Sequence, residues 1–328
     1  MADLSTTYLG LKLKNPVIAG SSGLTKNTES IIKLEQQGIA AVVLKSLFEE
    51  QIRFEVQSAV SQADSAAIYP EAEDYIRNYT RENNVGAYLD LIRAVKKAVK
   101  IPVIASINCM TASEWTSFAK QVQEAGADAL ELNIFIMSSS PYKTSEQNEK
   151  TYFDIITEVK KYLTIPLAIK ISYHFSALAS TVQKLSWTGI QGIVMFNRFF
   201  NPDIDIEEMK VVPSNIYSTP ADISIPLRWI AMMSGRLEID LAASTGVHDG
   251  KGVVKCLLAG AKAVQICSTL YKNGFEHVPV MLEELEKWMN RRGFKKIEDF
   301  RGRMSLNKVE NPGAYERVQF MKHLAGIE

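Results

Sequence analysis

Short apolar runs rich in Val and Ile recur along this chain, at PVIAG (16–20), AVVLKS (41–46), PVIASI (102–107), ALELNIF (129–135), PLAIKIS (166–172), GIVMFN (192–197), LAASTGV (241–247) and AVQICS (263–268). They are continuously apolar rather than alternating, which is the pattern of strands buried on both faces of a parallel sheet. Amphipathic stretches with helical spacing separate them: NTESIIKLEQQG (27–38), AYLDLIRAVKKAVK (87–100), TASEWTSFAKQVQEAG (111–126), YFDIITEVKKYL (152–163), SALASTVQKLSW (176–187), GKGVVKCLLAG (250–260) and VPVMLEELEKWMNRRG (278–293). Thr111 with Glu114 predicts a capping box. Gly38, Gly126, Gly189 and Gly260 stand where a helix must stop before the next strand.

Strand-then-helix, repeated about eight times, predicts parallel strands with right-handed crossovers: an α/β fold, a (β/α)8 TIM barrel forming one domain over 1–328. Eight units favour closure over an open doubly wound sheet. No Gly-x-Gly-x-x-Gly follows the first strand, which weakens the dinucleotide-fold alternative, though periodicity alone leaves it open. Two excursions interrupt the pattern. Residues 47–83 contain Tyr69, Pro70, Tyr75 and Tyr79, and residues 198–227 contain Phe199, Phe200, Pro202, Pro213 and Pro220. Both leave the carboxyl ends of strands and read as substrate-side lids, the alternative being packing or a subunit contact.

The 328 residues are 46% hydrophobic, enough for one large core, and 37 basic residues cancel 37 acidic ones. That balance gives no reason to expect a nucleic-acid or membrane-surface partner. Cys109, Cys256 and Cys267 are far apart and form no C-x-x-C pair, so neither a disulfide framework nor a metal site is expected. The N-terminal MADLSTTYLGLKLKNP has no signal-like apolar run, and no stretch approaches the roughly 18 to 20 apolar residues of a membrane span. A cytoplasmic location is the expectation.

The informative positions are polar residues where apolar strands stop. Lys45 and Ser46 end the second strand, Asn133 and Lys170 lie near the ends of the fourth and fifth, and Asn197 ends the sixth. A lysine in an apolar barrel strand is costly unless an anion or acceptor meets it. One such lysine reads as a structural ion pair; two, with two asparagines on neighbouring strands, read as a floor for a polar, partly anionic ligand. STG (244–246) and ICS (266–268) end the seventh and eighth strands, after which barrels bind phosphate through backbone N–H groups. Their joint placement points to a phosphorylated ligand. His174 reads either as an acid–base candidate or as a solvated loop histidine. Asp249, after His248, reads as a helix N-cap. Cys109 lacks a nucleophile motif, and Met110, Met195, Met232 and Met233 read as core or pocket lining.

On these residues the chain resembles the dihydroorotate dehydrogenase family, particularly its soluble class 1 members. The resemblance runs nearly end to end, through LKNPVIAGSSG (13–23), GIAAVVLKS (38–46), ELN (131–133), IPLAIKIS (165–172), VMFN (194–197), LLAGAKAVQICSTLY (257–271) and GFKKIEDFRG (293–302). It implies FMN across the strand ends. Ala19, Gly20 and Ser21 would touch the isoalloxazine, with Lys45 and Ser46 beside it. Lys170 would face flavin N1 and O2, where its charge takes a catalytic part by stabilising the reduced ring. Asn133 and Asn197 would hydrogen-bond flavin or substrate, and backbone N–H groups at Thr245, Gly246, Cys267 and Ser268 would hold the phosphate. The family usually shows Gly-Gly and Gly-Thr at these last two pairs, a mild departure that leaves the backbone donors in place.

The substrate side departs further. Where the family carries N-x-S-C-P-N, an ungapped alignment puts Ile136 at the position of the proton acceptor and Ser138 at the second Asn. With four residues inserted, SSPY (139–142) overlies the motif and Ser140 becomes the base. The family's N-x-x-G-L-P-N, which grips the substrate, is replaced by Ser65-Ala-Ala-Ile-Tyr-Pro70-Glu71. A glutamate there would repel an anion. Arg198 stands where the family has Ser or Thr, and reads as a replacement carboxylate fork, a partner of Glu71 or a solvated side chain. The implied substrate contacts are thus Lys45, Ser65, Asn133, Ser138, Asn197 and Arg198.

The leading expectation is an FMN-dependent oxidoreductase acting on a CH–CH bond, converting dihydroorotate to orotate in pyrimidine biosynthesis. Two alternatives keep the flavin. One is a relative acting on another pyrimidine or an enoate, as dihydropyrimidine dehydrogenases do with iron–sulfur partners for which this chain has no cysteine motif. The other is an FMN-binding barrel with little catalysis, serving as a subunit or sensor. A flavin-free, aldolase-like barrel using Lys170 as a Schiff base explains neither Lys45 nor the end-to-end resemblance. The resemblance also implies a homodimer. The lack of an N-terminal apolar extension argues against a quinone-linked membrane enzyme and leaves the electron acceptor unknown.

Overall fold

The computed structural model describes residues 2–48, 70–109, 116–198 and 201–316. All eight apolar runs are strands: β1 (Val17–Ala19), β2 (Ala41–Val43), β3 (Val103–Cys109), β4 (Ala129–Ile134), β5 (Leu167–Ile171), β6 (Gly192–Met195), β7 (Asp240–Ser244) and β8 (Ala263–Ile266). Each pairs in parallel with its chain neighbours. The β8–β1 pairing and the Val42–Val103 register between β2 and β3 complete the ring. The structure is a closed (β/α)8 barrel.

Closure follows from both strand faces being apolar. Leu130, Leu132, Ile169, Ile171, Ile193 and Val264 pack outward in the large core beneath the helices. The alternate residues Ile18, Val43, Ile104, Ala129, Ala168, Val194, Ala242 and Ala263 meet inside the barrel. An antiparallel hairpin, Thr6–Tyr8 with Leu11–Leu13, closes the amino-terminal end by adding Tyr8, Leu9 and Leu13 to that inner cluster. Small alanines on the inner face leave room for these plugs.

Side chains two residues apart share a strand face. One step above the inner apolar layer, five of the strands present a polar next inward residue: Ser106, Glu131, Lys170, Ser244 and Gln265, all buried. The barrel interior changes from apolar to polar within one layer, toward the carboxyl ends of the strands.

The crossovers are α1 (Thr28–Gln36), α2 (Pro70–Ala98), α3 (Thr116–Glu124), α4 (Ser145–Lys160), α5 (Leu178–Ser186), α6 (Ser224–Met233), α7 (Gly250–Ala259), and, after β8, α8 (Ser268–Asn273) with α9 (His277–Arg292). Asn27 caps α1 through Ser30 N–H at 2.9 Å, and Asp249 caps α7 through Gly252 N–H at 2.7 Å. The expected stops at Gly38, Gly126, Gly189 and Gly260 all have positive φ. The expected capping box at Thr111 lies outside the described residues; one occurs instead at Thr144 with Gln147, opening α4.

Among their described residues both excursions contain regular elements. In the first, Leu47–Phe48 continues the sheet beside Ile107 and Asn108, and helix α2 reaches back to Pro70, so 70–83 is helical. Ser65 and Tyr69 lie outside the described residues, as do the side chains of Glu71, Tyr75 and Tyr79. In the second, Asn201–Asp205 and Lys210–Ser214 form an antiparallel hairpin with an exposed Ile204–Val211 pair. A short 3-10 turn at Pro220–Ile223 then leads into α6, an unexpected helix whose first residues fall inside the predicted excursion. Ile230, Ala231 and Met233 anchor it to the core. Its arginine and tryptophan, and Pro226 in its first turn, blur the apolar spacing.

Candidate functional site

The polar layer and the strand-end loops bound one cavity of about 190 Å3, lined among others by Ser21, Lys170, Asn197, Arg198, Thr245, Gly246, Cys267 and Ser268. Eight of the expected site residues therefore meet at one place. A second cavity of about 80 Å3 continues from it, sharing Asn197, Arg198 and Thr245, and is lined also by Tyr173 and Phe196. Tyr173 in turn borders a third cavity, of about 330 Å3, with Ile136, Ser138, Asn148, Glu149 and His174.

Lys170 forms the floor and is 8% exposed. Its Nζ donates to Gln265 Oε1 at 3.0 Å and lies 3.9 Å from Glu131 Oε1. Asn133, in register with Lys170, accepts from Asn197 Nδ2 at 2.7 Å through Oδ1, which ties the end of β4 to the residue beyond β6. Each amide still has donors or acceptors left for a ligand.

Ala19 ends β1, and Gly20 N–H donates to Ile266 O at 2.9 Å, holding the β1 loop against β8. Ser21 Oγ accepts from Ser46 N–H at 2.9 Å and sits 3.0 Å from Ser46 Oγ, which lies 2.7 Å from Ser106 Oγ. This hydroxyl chain links the loops after β1 and β2 to β3. Lys45 does not border the Lys170 cavity. Its side chain lines a separate space of about 220 Å3 with Lys26, Ser46, Asn84 and Tyr88. The two strand-end lysines are thus parted, with Ser46 between them.

Two residues in the left-handed region build the opposite wall: Thr245 at φ 82° and Gly246 at φ 79°. A Cβ on Gly246 would collide with the backbone of Asp222 and Ile223, so the second excursion can seat there only against glycine. Thr245 bears its strain with Oγ1 bonded to Phe196 O at 3.2 Å. Successive backbone N–H groups in such a turn form an anion-binding concavity. Gly246 N–H at present reaches Ser218 Oγ at 3.4 Å, and Ser218 N–H donates to Ser268 Oγ at 3.0 Å. Lys272 Nζ donates to Ser218 O at 2.8 Å, and His248 Nε2 lies 3.1 Å from Ser218 Oγ. Burial holds the His248 imidazole below its ordinary value, with the Lys272 charge adding to the effect. Burial likewise raises the Cys267 thiol, opposed by a Ser22 hydrogen bond and the Lys170 charge.

The substrate-side residues are dispersed. Arg198 Nη1 donates to Ile216 O at 2.5 Å and Nη2 to Asn215 O, so its guanidinium pins the end of the second excursion while still bordering two cavities. Ile136 is half-buried, and its backbone is bonded to Tyr152, whose phenol burial pushes up to about 12. Ser138 is exposed and accepts from Asn148 Nδ2 at 3.3 Å. Ser140 is exposed and accepts from Tyr142 N–H at 3.3 Å; it borders none of these cavities. The region around Ser65 lies outside the described residues.

Glu131, Gln265, Ser106 and Ser218 escaped the sequence reading. The first three carry a legible signal: each lies two residues after a small or branched apolar inward position, Ala129, Ala263 and Ile104. Ser218 carries none, because only the return of the excursion brings it to Gly246. Among the described residues no group of His, Cys, Asp and Glu is arranged to hold a metal, and no helix is long and apolar enough to cross a membrane.

Comparison with known proteins shows the family. The dihydroorotate dehydrogenase family model matches residues 3–289. A relative from Thermoplasma volcanium, named as the catalytic subunit of dihydroorotate dehydrogenase B (NAD(+)), is 28% identical over 311 residues, covering 92% of this chain and 98% of that protein. Its counterpart from Thermoplasma acidophilum is 27% identical over 311 residues, covering 92% and 99%. A putative dihydroorotate dehydrogenase A (fumarate) from Aeropyrum pernix is 27% identical over 312 residues, covering 92% and 97%.

Proposed function

Because this chain belongs to the dihydroorotate dehydrogenase family and is an oxidoreductase of that kind, we propose that it binds FMN across the carboxyl ends of its strands and oxidises dihydroorotate. The observation that carries the reading is one cavity with the Lys170 ammonium at its floor and the Thr245–Gly246 turn in its wall. A cation for a ring that gains negative charge, and a glycine cradle for a phosphate, are the two halves an FMN site needs. Bound FMN supplies the acceptor for a hydride from a C–H bond, while the proton on the neighbouring carbon goes to a base and the C–C bond becomes double.

The chain's own residues do the rest. Backbone N–H groups at Thr245, Gly246, Cys267 and Ser268 hold the phosphate, with Ser218 yielding its contact to Gly246. Ala19, Gly20, Ser21 and Ser46 form the edge against the ring, and Lys45 approaches from the neighbouring space. Lys170 stabilises the developing negative charge. Asn133 and Asn197, already bonded to each other, orient ring or substrate. Arg198 takes the substrate carboxylate, a stronger partner for a guanidinium than the two carbonyls it now meets. Ser138 and Ser65 are the remaining substrate contacts of this reading, Ser65 lying outside the described residues.

Ser140 is the proton acceptor in this reading. The loop that carries it is exposed from Met137 to Gln147, so few buried contacts oppose its turning over the strand ends. The same exposure favours a second reading, an FMN-binding barrel with little catalysis that serves as a subunit or sensor.

The T. volcanium and T. acidophilum relatives are named as catalytic subunits of NAD(+)-linked enzymes. Their names support a companion subunit for this chain with NAD(+) as the final acceptor. The proposal also includes a homodimer of the barrel itself and a cytoplasmic location.

Purified protein tests the proposal directly. A flavin absorbance spectrum that bleaches anaerobically on adding dihydroorotate is the expected result. Flavin present without bleaching removes dihydroorotate and leaves another pyrimidine or an enoate. No flavin removes the cofactor. Size measurement with and without a co-expressed companion separates the assembly states.

A further inference from the structure

A buried chain of polar side chains runs from the cavity floor, which Lys170 and Gln265 both line, to Glu131. Gln265 Nε2 donates to Glu131 Oε2 at 2.5 Å, and Gln265 Oε1 accepts from Lys170 Nζ at 3.0 Å. The three residues come from β8, β4 and β5, and are exposed by 2%, 1% and 8% respectively. The amide can face only one way, because a carboxylate accepts and an ammonium donates. Gln265 is therefore a fixed dipole, with its N–H end on the negative charge and its oxygen on the positive one.

The arrangement leaves something over. Among the described residues Glu131 Oε1 has no hydrogen-bond partner, and its nearest cation there is Lys170 Nζ at 3.9 Å. Tyr8 OH, from the hairpin that plugs the barrel, is likewise buried without a partner among the described residues. Burial raises that phenol, with the charges of Glu131 and Asp240 adding to the effect. A buried carboxylate with an unmet oxygen is costly, and an apolar residue of similar volume would often hold the fold as well or better. Structure alone gives little reason for the charge. Its position gives one: Lys170 lines the cavity and Glu131, 3.9 Å from its Nζ, does not, so the carboxylate offsets part of the ammonium's field at a bound ligand.

Resting on the FMN reading above, we propose that Glu131 and Gln265 are positioning residues of the cofactor site. They hold Lys170 Nζ at the floor and set how strongly its charge favours the reduced over the oxidised ring. The carboxylate weakens that preference, and the amide adds to the effect by presenting its oxygen, the negative end of its dipole, to the ammonium. Glu131 is not among the residues lining the cavity, so its charge tunes the reduction potential through Lys170.

The test is the midpoint potential of FMN bound to the purified holoprotein, from spectra recorded during anaerobic reduction against a reference dye. Glu131→Gln removes the buried negative charge and is expected to shift the potential upward. A buried unit charge one side chain beneath a ligand acts on the order of tenfold on the ratio of the two dissociation constants. That ratio corresponds to about 30 mV for a two-electron couple. Gln265→Met keeps the volume but removes the carbonyl oxygen held on Lys170 Nζ, and is expected to shift the potential upward by less, because a dipole acts more weakly than a unit charge. Upward shifts are not what loosened packing produces, since water admitted around Lys170 screens its charge and lowers the potential. If one variant fails to fold, the other still decides. A folded, flavin-loaded variant with the wild-type potential, or with a lowered one, overturns the inference while leaving the FMN reading intact. Wild-type protein that takes up no flavin overturns both.

Discussion

Lys170 on β5 and Gln265 on β8 meet inside the barrel, Nζ to Oε1 at 3.0 Å, although they are 95 residues apart in the chain. No local pattern could pair them. The ring closure that makes them neighbours also brings the Thr245–Gly246 turn to the same cavity.

Lys170→Met leaves Glu131 as a buried charge without its cation. Breaking such a pair costs about 3 to 5 kcal/mol. We expect a lower urea midpoint for Lys170→Met, and partial recovery in Lys170→Met with Glu131→Leu, where neither charge is left. Equal loss in the single and double variants would show that the pair contributes nothing.

Gly246→Ala puts a methyl group against the backbone of Asp222 and Ile223, in a conformation that L side chains rarely adopt. The strain is about 1 to 3 kcal/mol before any steric displacement is counted. The expected result is lowered thermal stability together with protein purified without flavin colour. Retained flavin at wild-type affinity would place the phosphate elsewhere.

Removing a general base typically costs about 100- to 10,000-fold in rate. Ser140→Ala is expected to lower the anaerobic flavin reduction rate by a factor in that range, with an unchanged flavin spectrum. Ser138→Ala, which loses only the Asn148 contact, is expected to do much less. Equal rates for wild type and Ser140→Ala would remove Ser140 as the base.

Arg198→Lys keeps the charge but loses the planar fork that holds Asn215 O and Ile216 O. Loss of bidentate geometry raises KM for a carboxylated substrate, on the order of tenfold or more, with a smaller change in kcat. Steady-state kinetics separate the two. A change confined to kcat would remove Arg198 from substrate binding.

His248 sits below its ordinary value of 6.5, chiefly through burial. The unfolded chain therefore takes up its proton at higher pH than the native one. Stability falls as pH drops through about 6.5 and stops changing from this source once pH is below the depressed native value. The effect is modest because the ring is partly solvated. In His248→Gln the slope of unfolding free energy against pH between 7 and 5 is expected to flatten. An unaltered slope would mean that another group governs this window.

Much of the fold was legible because strand burial imposes a composition: eight apolar runs give eight barrel strands, and four glycines give four helix stops. Helix α6 was missed because Pro226, Arg228 and Trp229 break its apolar spacing, and its helical state rests on core contacts through Ile230, Ala231 and Met233. The reach of α2 back to Pro70 was missed because its early part is polar and weakly periodic.

In the site, the chain alone determined which strand ends carry Lys170, Asn133, Asn197 and the Thr245–Gly246 turn, since each stands out against an apolar run. Tertiary structure decided which of them meet. It put Lys170 and Gly246 in one cavity, set Lys45 in another, left Ser140 on an exposed loop, and turned Arg198 onto the returning excursion. It also brought Glu131 and Gln265 to Lys170, where sequence spacing shows only two more inward positions. The reason is physical: a period of two tells which face a side chain takes, whereas its partner across the barrel depends on closure, stagger and the path of the loops.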